Sequence, residues 1–199
     1  GCRFLCDIET NGVPFDTDRL KKSSNLMAEQ IDNAVSKLNS YPEVQQFIKD
    51  RGEFNPNSTV QLRSLLFDYI GLEPTGKKTG TGADSTDAEV LGQLGEQHEI
   101  PKLILEVRQN VKIKNTYLDK ILPALDLDGR LRTGFNLHGT TSGRLSSSGK
   151  LNMQQIPRDN PIVKGCIKAK EGHKIVAMDL TTTEVYCAAV LAKDENLMD

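Results

Sequence analysis

From Asp16 onward, Leu20, Met27, Ile31, Val35 and Leu38 recur at spacings of three, four or seven, and Ser40-Tyr41-Pro42 then breaks the pattern. Such spacing lines one face of a helix, so one long amphipathic helix is expected. Ser58-Thr-Val-Gln61 reads as a capping box, followed by Leu62, Leu65, Leu66 and Tyr69 on one face and a stop at Gly71. Between Glu73 and Asp84 the chain is rich in Gly, Thr and Lys without apolar period, which predicts a mobile, positively charged loop. Thr86-Asp-Ala-Glu89 is a second capping box, opening a helix through Val90, Leu91 and Leu94. Pro101 suits the first turn of a longer helix, which turns Ile104, Val107, Val111, Leu118 and Ile121 inward and a basic face outward.

Past Pro123 the pattern changes period. Asp126-Leu-Asp-Gly129 is a turn signal, and Leu131, Thr133, Phe135 and Leu137 then alternate with polar residues as in a strand. Lys174 to Leu180 is a second strand candidate, an apolar run reaching a carboxylate at Asp179, and Glu184 to Leu191 reads as helix. The chain therefore reads as α+β, with a helical part to about residue 123 and then the start of a mixed part with an antiparallel sheet. There are no internal repeats.

Composition narrows this picture only in part. With 199 residues, 37% of them hydrophobic, the chain can bury a core. A net charge of −2 does not advertise nucleic-acid binding, so any charge serving that purpose must be local. Cys2, Cys6, Cys166 and Cys187 form no C-x-x-C pair and no zinc-like spacing with the three histidines, which favours free thiols in a reducing setting. No apolar run approaches the roughly 18 residues that span a bilayer, so no membrane partner and a cytoplasmic location are expected.

The segment with the most chemistry is Thr141-Ser-Gly-Arg-Leu-Ser-Ser-Ser-Gly-Lys-Leu-Asn-Met-Gln-Gln-Ile-Pro157. It gathers Arg144, several hydroxyls, Asn152, Gln154 and Gln155 among glycines, a set suited to hydrogen bonds along a nucleic-acid backbone or groove edge. By its residues alone it is only a polar loop. Its wording, however, resembles the T-G-R-L-S-S…N-L-Q-N-I-P signature of family A DNA polymerases. That resemblance implies that Arg144 reaches the minor groove of a primer–template duplex, supported by Asn152, Gln154 and Gln155. Minor-groove acceptors sit alike in every correct base pair, so such contacts sense pair geometry rather than sequence.

Val176-Ala-Met-Asp-Leu-Thr-Thr-Thr-Glu-Val-Tyr186 resembles the same family's motif A, commonly D-Y-S-Q-I-E-L-R. The resemblance makes Asp179 a catalytic ligand of Mg2+, with the Leu180 carbonyl as a second oxygen beside the nucleotide. It also implies that Glu184 closes off space near the incoming sugar, which would exclude a 2′-hydroxyl. Leu180 and Tyr186 stand where the family usually has an aromatic residue and an arginine, which suggests a divergent, phage- or virus-type branch.

Further matches run along the chain. Asn11-Gly-Val-Pro-Phe-Asp16 looks like the opening N-G-V/I-x-x-D of the polymerase region. Phe54-Asn-Pro-Asn-Ser58 with Gln61-Leu62, and Lys77-Lys-Thr-Gly-Thr-Gly82 with Ser85-Thr-Asp-Ala-Glu-Val-Leu91, look like thumb-tip motifs. The implied borders are 1–53 for the long helix leading to the thumb, 54–123 for the thumb and 124–199 for part of the palm. Lys77, Lys78, Arg108, Lys112, Lys114 and Asn115 become candidates for gripping the duplex backbone.

Asp7-Ile-Glu9-Thr imitates the first carboxylate motif of a proofreading exonuclease, but the thumb-like motif follows too soon for that fold to intervene. Two-metal phosphoryl transfer needs carboxylates on both sides of the ion pair, and the family's H-D-E hairpin and R-x-x-x-K-x-x-x-x-x-x-Y-G helix do not occur in these residues. The expectation is a fragment or split subunit, inactive alone, with apolar palm surface uncovered after Leu191. Its expected partners are primer–template DNA, deoxynucleoside triphosphates and a C-terminal polymerase polypeptide. The competing readings are a non-catalytic DNA-binding or scaffold module and, less favoured because of Glu184, a single-subunit RNA polymerase.

Overall fold

A computed structural model describes residues 2–149, 151–157, 160–179 and 182–193. The chain divides into two compact units, Gly1–Ile167 and Lys168–Asp199. No described helix is long and apolar enough to cross a membrane.

The first unit is built on a long helix, α2 (Thr17–Asn39), preceded by α1 (Cys2–Asn11) and the short strand β1 (Val13–Pro14). Asp16 starts α2 by accepting the Arg19 N–H at 3.0 Å, and the helix buries Leu20, Met27, Ala34 and Leu38. Its expected Ile31 and Val35 lie only half-buried, at the margin of that stripe. Two helices, α1 and α3 (Pro42–Arg51), occupy stretches for which the apolar pattern names no element. Both are short: α1 buries only Leu5, and α3 only Val44 and Phe47, too few positions to establish a period.

Helix α4 (Thr59–Arg63) starts at Ser58, whose hydroxyl accepts the Gln61 N–H, and it widens into a π-helical segment over Ser64–Tyr69. The reciprocal arm of the expected capping box goes elsewhere: Gln61 Oε1 accepts the Asn55 N–H at 2.7 Å. The cap of α5 (Ala88–Leu94) is Asp87, one residue later than expected. Its carboxylate takes the Val90 N–H at 3.0 Å, while Thr86 is buried with its carbonyl on Arg108. Helix α6 (Glu99–Lys112) is capped by His98 Nδ1 and continues through a π-helical segment, Ile113–Leu118, into α7 (Asp119–Ala124).

These helices enclose two apolar clusters. One lies at the tip and joins Leu38, Val44, Phe47, Leu62, Leu66, Leu91 and Ile104. The other lies at the base, where Phe15, Leu20, Met27, Leu118, Ile121, Leu131, Val163 and Cys166 meet. The sheet material is sparse: β1 pairs antiparallel with β2 (Arg130–Leu131), and β3 (Gly134–Asn136) pairs antiparallel with β4 (Ser146–Ser148). The alternation from Leu131 to Leu137 is thus divided between two sheets. Thr133 marks the break, buried and donating from Oγ1 to Ser148 O (2.6 Å) and Leu151 O (3.2 Å). The Asp126–Gly129 turn closes as expected, through Gly129 N–H on Asp126 O at 2.9 Å. A short helix, α8 (Pro161–Lys164), follows and is capped by Asn160.

The second unit has one regular element among its described residues, α9 (Thr183–Ala192). The expected strand from Lys174 onward is not formed over its described residues, and Ile175, Val176 and Met178 are exposed. A strand is held by N–H and C=O partners on a neighbour, and no described strand in this unit provides them. Val185, Tyr186, Val190 and Leu191 of α9 are exposed as well.

Candidate nucleic-acid interface

At the tip, the basic loop is tied down by its own acids. Lys77 pairs with Asp87 at 2.8 Å and also with Glu89, and Lys78 pairs with Asp84 at 2.6 Å. The Lys77 ammonium and then the Val90 N–H pull the Asp87 carboxyl down to about 2. Arg108 reaches across the tip, donating from Nε to Pro56 O at 2.8 Å and from one terminal nitrogen to Thr86 O at 2.9 Å. Burial of this half-covered guanidinium lowers its pKa. Arg108 thereby fastens the Phe54–Ser58 loop to the start of α5. A cavity of about 350 Å³ beside it is lined by Arg63, Thr79, Thr81, Asp84, Asp87 and Arg108 among others.

Lower on the same helical run, Lys112 and Asn115 are exposed. Lys114 is less accessible and holds Asp119 at 2.6 Å, and Ser24 donates to the same carboxylate. Burial raises the Asp119 pKa, but the Lys114 and Ser24 hydrogen bonds outweigh it and the net shift is downward.

Arg144 is exposed on the connection between β3 and β4. The backbone around it is pinned at residues 144, 145 and 147. Thr140 Oγ1 donates to Arg144 O at 2.7 Å, Gln154 Nε2 donates to Leu145 O at 2.9 Å, and Ser147 N–H donates to Gln154 Oε1 at 2.7 Å. Asn152 Oδ1 accepts from the Ser147 hydroxyl and, at 3.0 Å, from the Gln154 N–H. Gly139 permits the connection to close, since a Cβ there would lie 2.0 Å from Ser146 Oγ. Asn152 and Gln154 are therefore engaged within the hairpin, whereas Gln155 lies exposed beside them.

Glu9, weighed in the sequence only as a false exonuclease ligand, lies on a helix and accepts the Phe135 N–H at 2.5 Å. The other residues that sequence reasoning missed are the acids Asp84, Asp87 and Glu89. A run of opposite charges flanking Lys77-Lys78 was the available signal.

In the second unit Asp179 and Glu184 are both exposed, and Leu180 lies outside the described residues. No group of three or more His, Cys, Asp or Glu side chains that could hold a metal occurs among the described residues.

The geometry can be set beside known proteins. The chain is 57% identical to the DNA polymerase of Escherichia phage T5 over 198 residues, covering 99% of this chain and 23% of the phage protein. It is 40% identical to the thermostable DNA polymerase I of Thermus thermophilus over 204 residues, 98% of this chain and 23% of that enzyme. The chain thus spans about a quarter of the length of these curated relatives. Among solved structures, the POL domain of Pol1 from M. smegmatis in complex with DNA primer-template and dNTP superposes with a TM-score of 0.79 at 31% identity, covering 98% of this chain and 33% of that one. The family model for DNA polymerase family A matches residues 17–199, and the chain belongs to that family.

Proposed function

We propose that this chain supplies the duplex grip and the first catalytic carboxylate of a template-dependent DNA polymerase. The observation that carries the reading is the β3–β4 hairpin, which presents an exposed Arg144 on a backbone fixed at residues 144, 145 and 147. A guanidinium donor carried on a fixed backbone suits minor-groove acceptors that recur in every correct pair. Gln155 lies exposed next to it, and Lys112 and Asn115 offer contacts to the duplex backbone from the helical run. Lys77 and Lys78 meet phosphate by exchanging it for Asp84, Asp87 and Glu89, and Arg108 contributes by shaping the tip. The functional borders are 1–53, 54–123 and 124–199.

Family A polymerases generally use Mg2+. In this reading Asp179, with the Leu180 carbonyl, holds that ion together with further carboxylates, and Glu184 excludes ribonucleotides. The deoxynucleoside triphosphate is then a required partner. The decisive experiment supplies the chain with the remainder of a relative's polymerase domain and follows primer extension and duplex binding together. Asp179→Ala is expected to abolish extension while leaving duplex affinity nearly intact. An extension rate within about tenfold of the parent, only ~1.4 kcal/mol, would remove Asp179 from the catalytic site.

A further inference from the structure

A two-stranded ribbon has two open edges, and each leaves backbone N–H groups to be satisfied. In the β3–β4 ribbon the central pair is Phe135 with Ser147. Both of their amides turn outward to side chains rather than into the ladder. Phe135 N–H donates to Glu9 Oε1 at 2.5 Å on one edge, and Ser147 N–H donates to Gln154 Oε1 at 2.7 Å on the other. One pair is thus clamped from both sides, by a helix that precedes it by more than a hundred residues and by a turn that follows it closely.

Each clamp is itself anchored. Glu9 is near the end of α1, where Arg132 Nε donates to Thr10 O at 2.8 Å and Arg130 donates to Asn11 O at 2.7 Å and Gly12 O at 3.1 Å. Asp126 (2.8 Å) and Asp128 (2.7 Å) hold the Arg132 guanidinium in turn. Gly12 allows the close approach: its φ is +59°, and a Cβ would lie 2.8 Å from Leu131 O. On the other edge, Gln154 is oriented by Asn152 and donates from Nε2 to the carbonyl of Leu145, the residue after Arg144.

We infer that Glu9 and Gln154 are positioning residues that lock the β3–β4 ribbon from its two edges and so fix the direction of Arg144. This rests on the reading of Arg144 as a duplex contact. Helix α1 lies ahead of the residues matched by the family model, so that match gives Glu9 no role. Gln154 here works through the backbone beside Arg144 rather than on the duplex itself.

The test is a mutant cycle on the full chain, read by anisotropy of a labelled primer–template duplex and by amide hydrogen exchange without DNA. Glu9→Ala and Gln154→Ala are each expected to weaken duplex binding about fivefold, and by less than about twofold when Arg144→Ala is already present. Glu9→Gln keeps an oxygen acceptor for Phe135 N–H, so it is expected to stay within about twofold of the parent. Exchange should quicken across 137–148 in both alanine variants while α2 and α6 keep their protection, which separates local release from misfolding. Equal losses with and without Arg144, or unchanged exchange across 137–148, overturn the inference. If Arg144→Ala itself leaves binding unchanged, the duplex reading of Arg144 fails, and the exchange data alone decide whether the clamp exists.

Discussion

The helical tip and the β3–β4 hairpin are held together by different physics. The tip closes over fully buried side chains, with Phe47 edge-on to Phe54 at 5.6 Å and to Tyr69 at 5.1 Å between ring centres. Dispersion and the removal of apolar surface from water supply its cohesion, and many residues share it. The hairpin buries almost nothing large. Its shape comes from hydrogen bonds made by Glu9, Thr133, Thr140, Asn152 and Gln154 to backbone groups, so a few individual atoms carry its geometry. The hairpin therefore depends on each acceptor, whereas the cohesion of the tip is spread over many side chains.

The most severe way to break this contrast is Phe47→Ala. Losing a fully buried ring and both of its aromatic neighbours is expected to cost about 3–5 kcal/mol, read as a drop in the denaturant midpoint of the first unit. A loss below about 1 kcal/mol would mean that the tip is not a packed core.

Thr133→Val comes next and probes the other region. It preserves volume but removes the donor to Ser148 O and Leu151 O, so a destabilisation of about 1–3 kcal/mol is expected. The accompanying gain in amide exchange should be confined to 133–151, and exchange quickened throughout the tip would contradict a locally held hairpin.

The smallest effect is electrostatic and returns to the tip. The folded Asp87 carboxyl titrates at about 2, against 3.8 for an unperturbed group. Because the folded value is depressed, its contribution is fully present above about pH 4 and is lost as the pH falls towards 2. Asp87→Asn keeps a capping oxygen but cannot titrate, so it should lose this contribution at neutral pH, a small loss for so exposed a pair, and flatten the acid limb of unfolding. An unchanged acid limb would detach Lys77 and Asp87 from the stability of the tip.

Particular residues show how far the sequence could be read. Leu20, Met27 and Leu38 announce α2 because burial on one face imposes a period on consecutive residues, and the interval from Ile104 to Ile121 announces α6 and its continuation for the same reason. The motifs from Thr141 to Pro157 likewise identify the family, since their order along the chain is enough. The cap of α5 was displaced to Asp87 because the competition between Thr86 and Asp87 depends on Arg108, which is local in space but not in sequence. The strand expected at Lys174 shows a related limit, for an apolar run becomes a strand only where a neighbour accepts and donates its hydrogen bonds.

By itself, then, the sequence determined the long helices, the α+β class and the family, because periodic burial and ordered motifs are properties of neighbouring residues. Only the tertiary structure decided what the polar side chains hold. Glu9 lies 126 positions before its partner Phe135, Arg130 119 and 118 positions after its partners Asn11 and Gly12, and Arg108 52 away from Pro56. A hydrogen bond forms wherever folding brings donor and acceptor within about 3 Å, and no pattern along the chain encodes that meeting.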